Sequence, residues 1–344
     1  MKYILYRKNI SLKSGTGQLI KMQSDYLRRK KISFSIMCKT GFFTTLLKLK
    51  TIPRKPLMND NNEIKNKKNG DYIIDHSFSI KNSDITFIHN IPNKETKDDY
   101  IKWLKESNCH IISNSQFTKS KLIDYGFKEK LISVCYPGFN EKNFNVELSK
   151  KSKESARIKL GIPYKNKTIG FITSGDFEKR GLKRFLDICE ELSKERNDLS
   201  FFIMGAKQLP QEYNNHPIVT SGKLIYKPKN TTPGYWLSAI DIFVYPALFE
   251  EFGMVIPEAL AMHIPVLTTR DVGASEILPE KYQEWLLDEY NLSGFCYNIH
   301  KLLDDPESYK LLVDLSEDAL LYNKENYSKR TIDLITEIIT KGKE

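Results

Sequence analysis

The chain has 344 residues and a formal net charge of +10, from 53 Lys and Arg against 43 Asp and Glu. This length exceeds one ordinary hydrophobic core and favours two domains. No apolar run approaches the roughly 18 residues that a membrane span needs, and the start "MKYILYRKNI" lacks the apolar core of a signal peptide. An odd number of scattered cysteines argues against a disulfide framework. We therefore predict a cytoplasmic protein whose membrane contact would be peripheral.

The positive charge is concentrated in the first part of the chain. Residues 1–137 contain 26 Lys and Arg against 12 Asp and Glu, whereas the remainder contains 27 against 31. A basic half suits an anionic partner such as lipid headgroups or nucleic acid, although a Lys- and Asn-rich composition bias explains it as well. Within it, "TGFFTTLLKLKTIPRK" at 40–55 fits either a segment that enters the interface of an anionic membrane or an ordinary core helix.

In chain order, the first half alternates strands with loops and helices. Short apolar runs predict strands at "KYILY", "ISFSIMC", "DYIID", "DITFIH", "CHIISNS" and "LISVCYPG". The glycine-bearing loop "SLKSGTGQLI" leads from the first strand into an amphipathic segment, and "SQFTKSKLIDYG" has the Ser start and Gly end of a capped helix.

A charged stretch from about residue 141 has few strand signals and predicts a linker. Beyond it, strands at "TIGFITSG", "LSFFIMG", "IDIFVYPAL" and "IPVLTT" alternate with helical segments, and the chain ends in helices. Such alternation predicts parallel sheets covered on both faces. The expected fold is α/β, with two doubly wound, Rossmann-like domains facing across a cleft. We expect them at 1–140 and 141–320, with a helical segment at 321–344 that returns to the first domain.

Ligands of open parallel sheets bind beyond the carboxyl ends of strands, and two corners of the second half fit this rule. In "TSGDFEKRGLKRF", a strand ends at Ser174 and Gly175 and a helix begins near Gly181, with Lys179 and Arg180 at the rim. Cations are disfavoured at the start of a helix unless an anion lies nearby, so this corner predicts a diphosphate site. Solvated charges at a helix start are the structural alternative.

The second corner is "FEEFGMVIPEALA" at 249–261. Gly253 lets backbone N–H groups approach an anion, and Pro257 suits the first position of the following helix. Glu250 in the loop and Glu258 in the first helical turn lie on either side of these N–H groups. Because a carboxylate accepts two hydrogen bonds, the pair suits the vicinal hydroxyls of a ribose and a hexose. Taken alone, Glu258 would only complement the helix dipole.

The segment "ALFEEFGMVIPEALAMHIPVLTTRDVGASEIL" resembles the donor-binding segment of the family-four retaining glycosyltransferases. In that family, two Glu separated by seven residues precede an Ala-rich helix, a Pro-Val strand and a Val-Gly turn. "GDFEKRGLKRFLDI" is similar to the basic loop and helix of the family, and "SGTGQL" matches its glycine loop loosely. The resemblance implies the GT-B fold. "RGLKRF" and "PVLTT" lean toward the branch that glycosylates lipopolysaccharide core and other polysaccharides.

The resemblance also implies roles for individual residues. Glu258 would hold the nucleotide ribose and Glu250 the donor hexose in the catalytic centre, with the catalytic His89 near the anomeric carbon. The remaining implied contacts are to the diphosphate, from the backbone of Phe252, Gly253 and Met254, from the cations Lys179, Arg180 and Lys207, and from the first loop at Gly15 and Gly17.

Two positions depart from the pattern of that family. The basic loop reads Lys-Arg-Gly, which leaves open whether Lys179 or Arg180 meets the phosphate. Glu251 replaces the usual Gly or Ala, and we expect it to add negative charge beside the sugar.

Neither a D-x-D motif nor a Cys/His cluster predicts a metal, so Lys, Arg and helix amides would balance the charge of the departing nucleotide. The sequence also lacks a P-loop and a complete dinucleotide fingerprint. We expect no cofactor and no nucleic acid. The expected partners are a nucleotide sugar donor, a UDP-sugar in preference to a GDP-sugar, and a glycan or glycolipid acceptor bound by the first domain.

The leading hypothesis is a retaining, metal-independent hexosyltransferase in which the leaving phosphate takes the proton of the acceptor. A sugar-nucleotide epimerase on the same scaffold and a basic nucleic-acid-binding protein are the alternatives. An epimerase would consume its nucleotide sugar without an acceptor, and a gel-shift assay would detect binding to nucleic acid.

Overall fold

The structure of the chain is a computed structural model that describes residues 1–12, 14–40, 49, 53–92, 98–173, 175–229 and 232–341. These residues form two compact units, one of Met1–Gly138 with Lys324–Glu344 and the other of Phe139–Asn323. Most of the possible lipid-facing segment at 40–55 lies outside the described residues. No helix in the described ranges is long and apolar enough to cross a membrane.

The first unit contains a six-stranded parallel sheet with the order β2-β1-β3-β4-β5-β6. Its strands are β1 (Lys2–Tyr6), β2 (Phe34–Met37), β3 (Asp71–Asp75), β4 (Ile85–Ile88), β5 (His110–Ser113) and β6 (Ile132–Val134). Its described helices are α1 (Gly15–Arg29), α2 (Asp98–Glu106), α3 (Gln116–Asp124) and, from the end of the chain, α12 (Lys324–Lys341), with a short 3-10 turn at Glu129–Leu131.

The first unit is held together by a core between its sheet and the helices α1 and α12. The side chain of Ser14 caps α1 by accepting a hydrogen bond from the backbone N–H of Gly17. Apolar side chains of α1 and α12 are buried with those of the strands, in a cluster that includes Leu5, Ile36, Ile74, Ile20, Leu27, Ile332 and Ile335. A buried hydrogen bond of 2.9 Å from Gln23 Nε2 to Tyr327 Oη joins the two helices.

The second unit contains a five-stranded parallel sheet with the order β11-β10-β7-β8-β9. Its strands are β7 (Lys167–Ile172), β8 (Leu199–Gly205), β9 (Leu224–Pro228), β10 (Ile242–Tyr245) and β11 (Val266–Thr268). Its described helices are α4 (Val146–Leu160), α5 (Leu182–Glu195), α6 (Pro217–Thr220), α7 (Pro233–Leu237), α8 (Val255–Leu260), α9 (Glu280–Gln283), α10 (Leu292–Asp304) and α11 (Pro306–Leu315). Short 3-10 turns lie at Gln211–Tyr213, Gly273–Ile277 and Ser316–Tyr322. The predicted α/β fold with two parallel sheets is confirmed.

The structure corrects the prediction of a linker after residue 141, because α4 occupies residues 146–160 of that stretch. Asn145 caps its first turn by accepting a hydrogen bond from Leu148 N, and Gly161 ends it in the left-handed conformation, at φ 68°. Seven of its 15 residues are charged, and the helix buries little beyond Ser152 and Ala156. Its apolar pattern is therefore weak, although both caps are visible in the sequence.

A buried carboxylate anchors α4 to the second sheet. Asp241 is 5% exposed and pairs with Lys153 Nζ at 2.6 Å and Arg157 Nη1 at 2.9 Å. Its Oδ2 also accepts the backbone N–H of Thr168 at 2.7 Å, at the start of β7. Burial alone would raise the pKa of Asp241, but the two cations and this N–H outweigh burial and lower the pKa.

Replacing Asp241 by Asn should therefore destabilise the second unit by about 3 kcal/mol, because two cations lose their buried partner. Since the folded pKa of Asp241 is depressed, its contribution is present above the unfolded pKa and is lost as pH falls through the folded pKa. Urea unfolding at several pH values tests both expectations. Asp288→Asn is the control, because Asp288 is 89% exposed and its pair with Arg270 should contribute at most about 1 kcal/mol. An equal loss in the two variants would contradict the assignment.

Candidate functional site

Three loops meet at the carboxyl edge of the second sheet. They follow β7, β10 and β11, which are neighbours in the strand order, so their ends lie at the same edge. Backbone hydrogen bonds join the loops, from Leu248 N to Lys179 O at 2.9 Å and from Gly273 N to Glu250 O at 2.9 Å. The backbone thus brings together two corners that are about 70 residues apart in the sequence.

Gly181 allows the close approach of the first two loops. It precedes α5 with φ 77°, and a Cβ at this position would lie 2.0 Å from the carbonyl oxygen of Pro246. Only glycine adopts that conformation without strain and also leaves room for the neighbouring backbone. Arg184, one turn further along α5, donates a hydrogen bond to Ala247 O at 3.1 Å and fastens the same junction.

Two ion pairs connect the basic loop to the acidic loop. Lys179 Nζ lies 2.5 Å from Glu251 Oε2, and Arg180 Nε lies 2.8 Å from Glu250 Oε2. Both carboxylates are buried, Glu250 at 7% and Glu251 at 3% exposure. The sequence predicted that an anion would lie near these cations, and in this structure the anions are the protein's own carboxylates.

The pairing joins Lys179 to Glu251, the residue that we expected to add negative charge beside the sugar. It also shows two aromatic partners that sequence reasoning missed. The Tyr245 hydroxyl donates to Glu250 Oε2 at 3.2 Å, and Lys179 Nζ lies 4.4 Å from the centre of the Phe249 ring. Burial raises the pKa of Glu250, whereas Arg180 and Lys179 oppose this shift.

Glu258 differs from the other two carboxylates because none of the described cations neutralises it. Its side chain is half-buried, and no hydrogen bond or ion pair joins it to another side chain within the described part of the chain. Burial raises the pKa of Glu258 to about 8. The helix that follows the charge-balanced loop therefore contains a carboxyl group without a side-chain partner among the described residues.

The helix that contains Glu258 begins earlier than predicted. Met254 is the N-cap of α8 and Val255 its first residue, so Pro257 occupies the third position instead of the first. Proline is still accommodated there because the first N–H groups of a helix have no acceptor within it. Gly253, just before the cap, has φ 90°, and Phe252 is buried beside it.

The remaining predicted site residues do not belong to these three loops. Lys207 is exposed in the loop after β8, and no contact among the described residues brings it to the paired charges. Gly15, Gly17 and His89 belong to the first unit. A Cβ on Gly17 would lie 1.9 Å from Ser11 O, so the turn into α1 requires glycine there, whereas Gly15 has open space around its Cα. Ser174 lies outside the described residues.

His89 follows β4 and is hydrogen-bonded to a second histidine that the sequence analysis did not single out. His76 Nδ1 and His89 Nε2 are 3.2 Å apart. His76 follows β3, and only the pairing of β3 with β4 brings these two positions to the same edge. Among the described side chains, no group of three or more His, Cys, Asp or Glu is arranged to hold a metal ion.

Comparisons with known proteins agree with this architecture. Residues 166–305 match the family model described as glycosyl transferases group 1. An uncharacterized glycosyltransferase of Methanocaldococcus jannaschii, MJ1607, is 22% identical over 237 residues, which cover 66% of this chain and 59% of that protein. The chain thus spans less than two thirds of the length of that relative.

Solved structures of glycosyltransferase-type proteins share the fold along nearly the whole chain. HepE of Anabaena, in complex with UDP-glucose, aligns with a TM-score of 0.75 at 17% identity, covering 98% of this chain and 100% of that one. WaaG, a glycosyltransferase involved in lipopolysaccharide biosynthesis, aligns with a TM-score of 0.73 at 13% identity, covering 97% and 99%. The fold is that of the GT-B glycosyltransferases, and residues 166–305 are the part of the chain that matches the family model.

Gly181→Ala tests the junction of the loops. Both Gly181 and Gly161 have positive φ, but a Cβ at Gly161 would meet nothing within 4 Å. Gly161→Ala should therefore cost only the strain of the left-handed conformation, about 1 kcal/mol, and Gly181→Ala about 2 kcal/mol more through its clash with Pro246. Urea unfolding of both variants measures the difference, and equal losses would show that the loops can separate at little cost.

Proposed function

We propose that the chain is a retaining glycosyltransferase that moves a hexose from a nucleotide diphosphate sugar to a hydroxyl group of a glycan or glycolipid. The proposal rests on the half-buried carboxyl of Glu258, which has no side-chain partner among the described residues. It lies in the helix that follows the loop in which Glu250 and Glu251 pair with Arg180 and Lys179. All five residues lie in the segment that matches the glycosyltransferase family model.

In this proposal each part of the nucleotide sugar has a partner of matching chemistry. The ribose hydroxyls donate to Glu258, which has no competing partner among the described residues. The diphosphate binds Lys179 and Arg180, assisted by the backbone of residues 252–254, and takes over the cations from the carboxylates. Glu250, released from Arg180, then accepts hydroxyl groups of the hexose.

We propose a UDP-sugar as the donor, which the similarity to a UDP-glucose-binding protein supports. The proposal includes no metal and no further cofactor, because Lys179, Arg180 and backbone N–H groups supply the counter-charge for the leaving diphosphate. The acceptor's proton passes to that leaving phosphate, so the new bond forms on the face that the nucleotide leaves and the configuration is retained.

The proposed acceptor belongs to a polysaccharide or lipopolysaccharide. The phrases "RGLKRF" and "PVLTT" and the similarity to WaaG support this class. We assign acceptor binding to the basic first unit. We also propose that the protein works in the cytoplasm, in peripheral contact with an anionic membrane face. Binding to acidic liposomes that weakens with salt would support that contact.

A panel of UDP-, GDP- and ADP-sugars, screened by thermal unfolding, tests the proposed donor. A ligand at 100 times its dissociation constant adds about 2.7 kcal/mol to the stability, so UDP-sugars should raise the melting temperature most.

Glu258→Gln should weaken the binding of UDP by about tenfold or more, because hydrogen bonds to an ionised acceptor are lost. Glu280→Gln, at an exposed position in α9, is the matched control. An unchanged shift in Glu258→Gln would contradict the ribose contact.

Proton release on binding tests the state of Glu258. In the free protein its pKa is about 8, so the carboxyl is mostly protonated near pH 7. Ribose hydroxyls that donate to it favour the ionised form and lower this pKa, so UDP should bind with release of up to about one proton and more tightly as pH rises toward 8. Calorimetry in buffers of different ionisation enthalpy measures the release. Equal release from Glu258→Gln would assign the proton to another group.

A further inference from the structure

A pair of stacked histidines lies at the carboxyl edge of the first sheet. His76 is 3% exposed, and its ring stacks on Phe87 with centroids 4.3 Å apart and an interplanar angle of 17°. The His89 ring lies on the same stack, 5.5 Å from the His76 centroid and tilted by 14°. With the 3.2 Å contact between His76 Nδ1 and His89 Nε2, this geometry fixes which ring nitrogens face each other.

The backbone that presents the two rings is held firmly. The buried carboxylate of Asp75 accepts the backbone N–H groups of Ser77, Ser79 and Ile80 at 2.7, 2.6 and 2.9 Å, which closes the turn around His76. His76 N also donates to the carbonyl oxygen at the end of β1, at 2.9 Å. The carbonyl oxygen of His89 accepts a hydrogen bond of 3.1 Å from Asn114 Nδ2.

Both imidazoles are neutral in this environment. Burial, followed by the charge of Arg7, lowers the pKa of His89 to about 3, and burial is also the main cause that lowers the pKa of His76. Each ring therefore has one N–H, and the contact between Nδ1 of His76 and Nε2 of His89 requires one of these two atoms to donate. Which ring donates decides the tautomer of the other.

The surroundings of His76 favour one of the two arrangements. Its Nε2 is buried and has no hydrogen-bond partner among the described residues. If His89 donated, the proton of His76 would have to lie on this Nε2, as a buried N–H without an acceptor. If His76 donates from Nδ1, its Nε2 is a buried acceptor without a donor. Buried N–H groups without an acceptor are rarer in proteins than buried acceptors without a donor, so donation from His76 is favoured. His89 then accepts at Nε2, so its own proton lies on Nδ1, which has no hydrogen-bond partner among the described residues.

We propose that His76 is a positioning residue that fixes His89 in the Nδ1–H tautomer, so that His89 offers an N–H donor to an oxygen of the bound substrate. The catalytic part of this inference rests on the proposed glycosyl transfer. The tautomer itself is a property of the protein without ligand. His89 is half-buried whereas His76 is 3% exposed, so His89 is the more accessible of the two rings.

The tautomer can be measured by long-range ¹H–¹⁵N correlation spectra of the full chain with ¹⁵N-labelled histidine, near pH 7. We expect Nδ1 of His89 to have the shift of a protonated nitrogen and Nε2 that of an acceptor. His76→Phe keeps a ring against Phe87 but removes the donor, and should move His89 to the Nε2–H form. His76→Asn replaces Nδ1 by an amide N–H donor and should restore the Nδ1–H form. His110, which contacts Ser133 Oγ at 2.9 Å, is the internal control.

Either an Nε2–H form of His89 in the unaltered protein or no change in His76→Phe would overturn the proposal. A transferase assay provides a second test: His76→Phe should lower kcat about 100-fold with a nearly unchanged KM for the donor, and His76→Asn should recover most of it. Equal losses in the two variants, at equal melting temperature, would mean a purely structural role and overturn the positioning. If the unaltered protein transfers no sugar, the proposed function fails, while the spectra still decide the tautomer.

Discussion

The candidate site depends on the neutralisation of two buried carboxylates by two cations from another loop. Glu250 and Glu251 would be very costly to bury alone, and Arg180 and Lys179 offset part of that cost. Because both acids follow β10 and both bases follow β7, the pairs fix the two loops against each other. Gly181 is needed at the same place, since any side chain there would push the loops apart. The ion pairs and the absence of a side chain at Gly181 therefore hold the same two loops together.

In the proposed function, the same charges would make the site responsive to an anionic ligand. A diphosphate competes for the cations with the carboxylates, so binding would exchange one set of charge-assisted hydrogen bonds for another, without leaving a buried cation unpaired. Glu258 stands apart from this exchange because no described cation faces it. Its raised pKa expresses the cost of holding an unpartnered carboxyl among protein atoms, a cost that polyol hydroxyls would lower.

The first unit also contains a buried carboxylate that is stabilised by its hydrogen-bond donors. Asp75 is buried, but three backbone N–H groups point at it, and the turn that they form holds the ring of His76. The one nitrogen of His76 without a partner then determines where the shared proton must lie. Nε2 of His76 in the first unit and the carboxyl of Glu258 in the second lack a side-chain partner among the described residues, and the functional inferences rest on these two groups.

The sequence by itself determined the local elements, because they depend on periodicity and caps. "KYILY", "DYIID" and "LSFFIMG" coincide with β1, β3 and β8 residue for residue, and the alternation of strands and helices predicted two parallel sheets. It missed α4, whose charged faces hide the apolar period. It also predicted sites at two corners of the second sheet. It did not predict that Arg180 pairs with Glu250 or that His76 pairs with His89. Those pairs follow from strand order, which places β10 beside β7 and β4 beside β3, and strand order is settled by long-range packing that no local pattern contains.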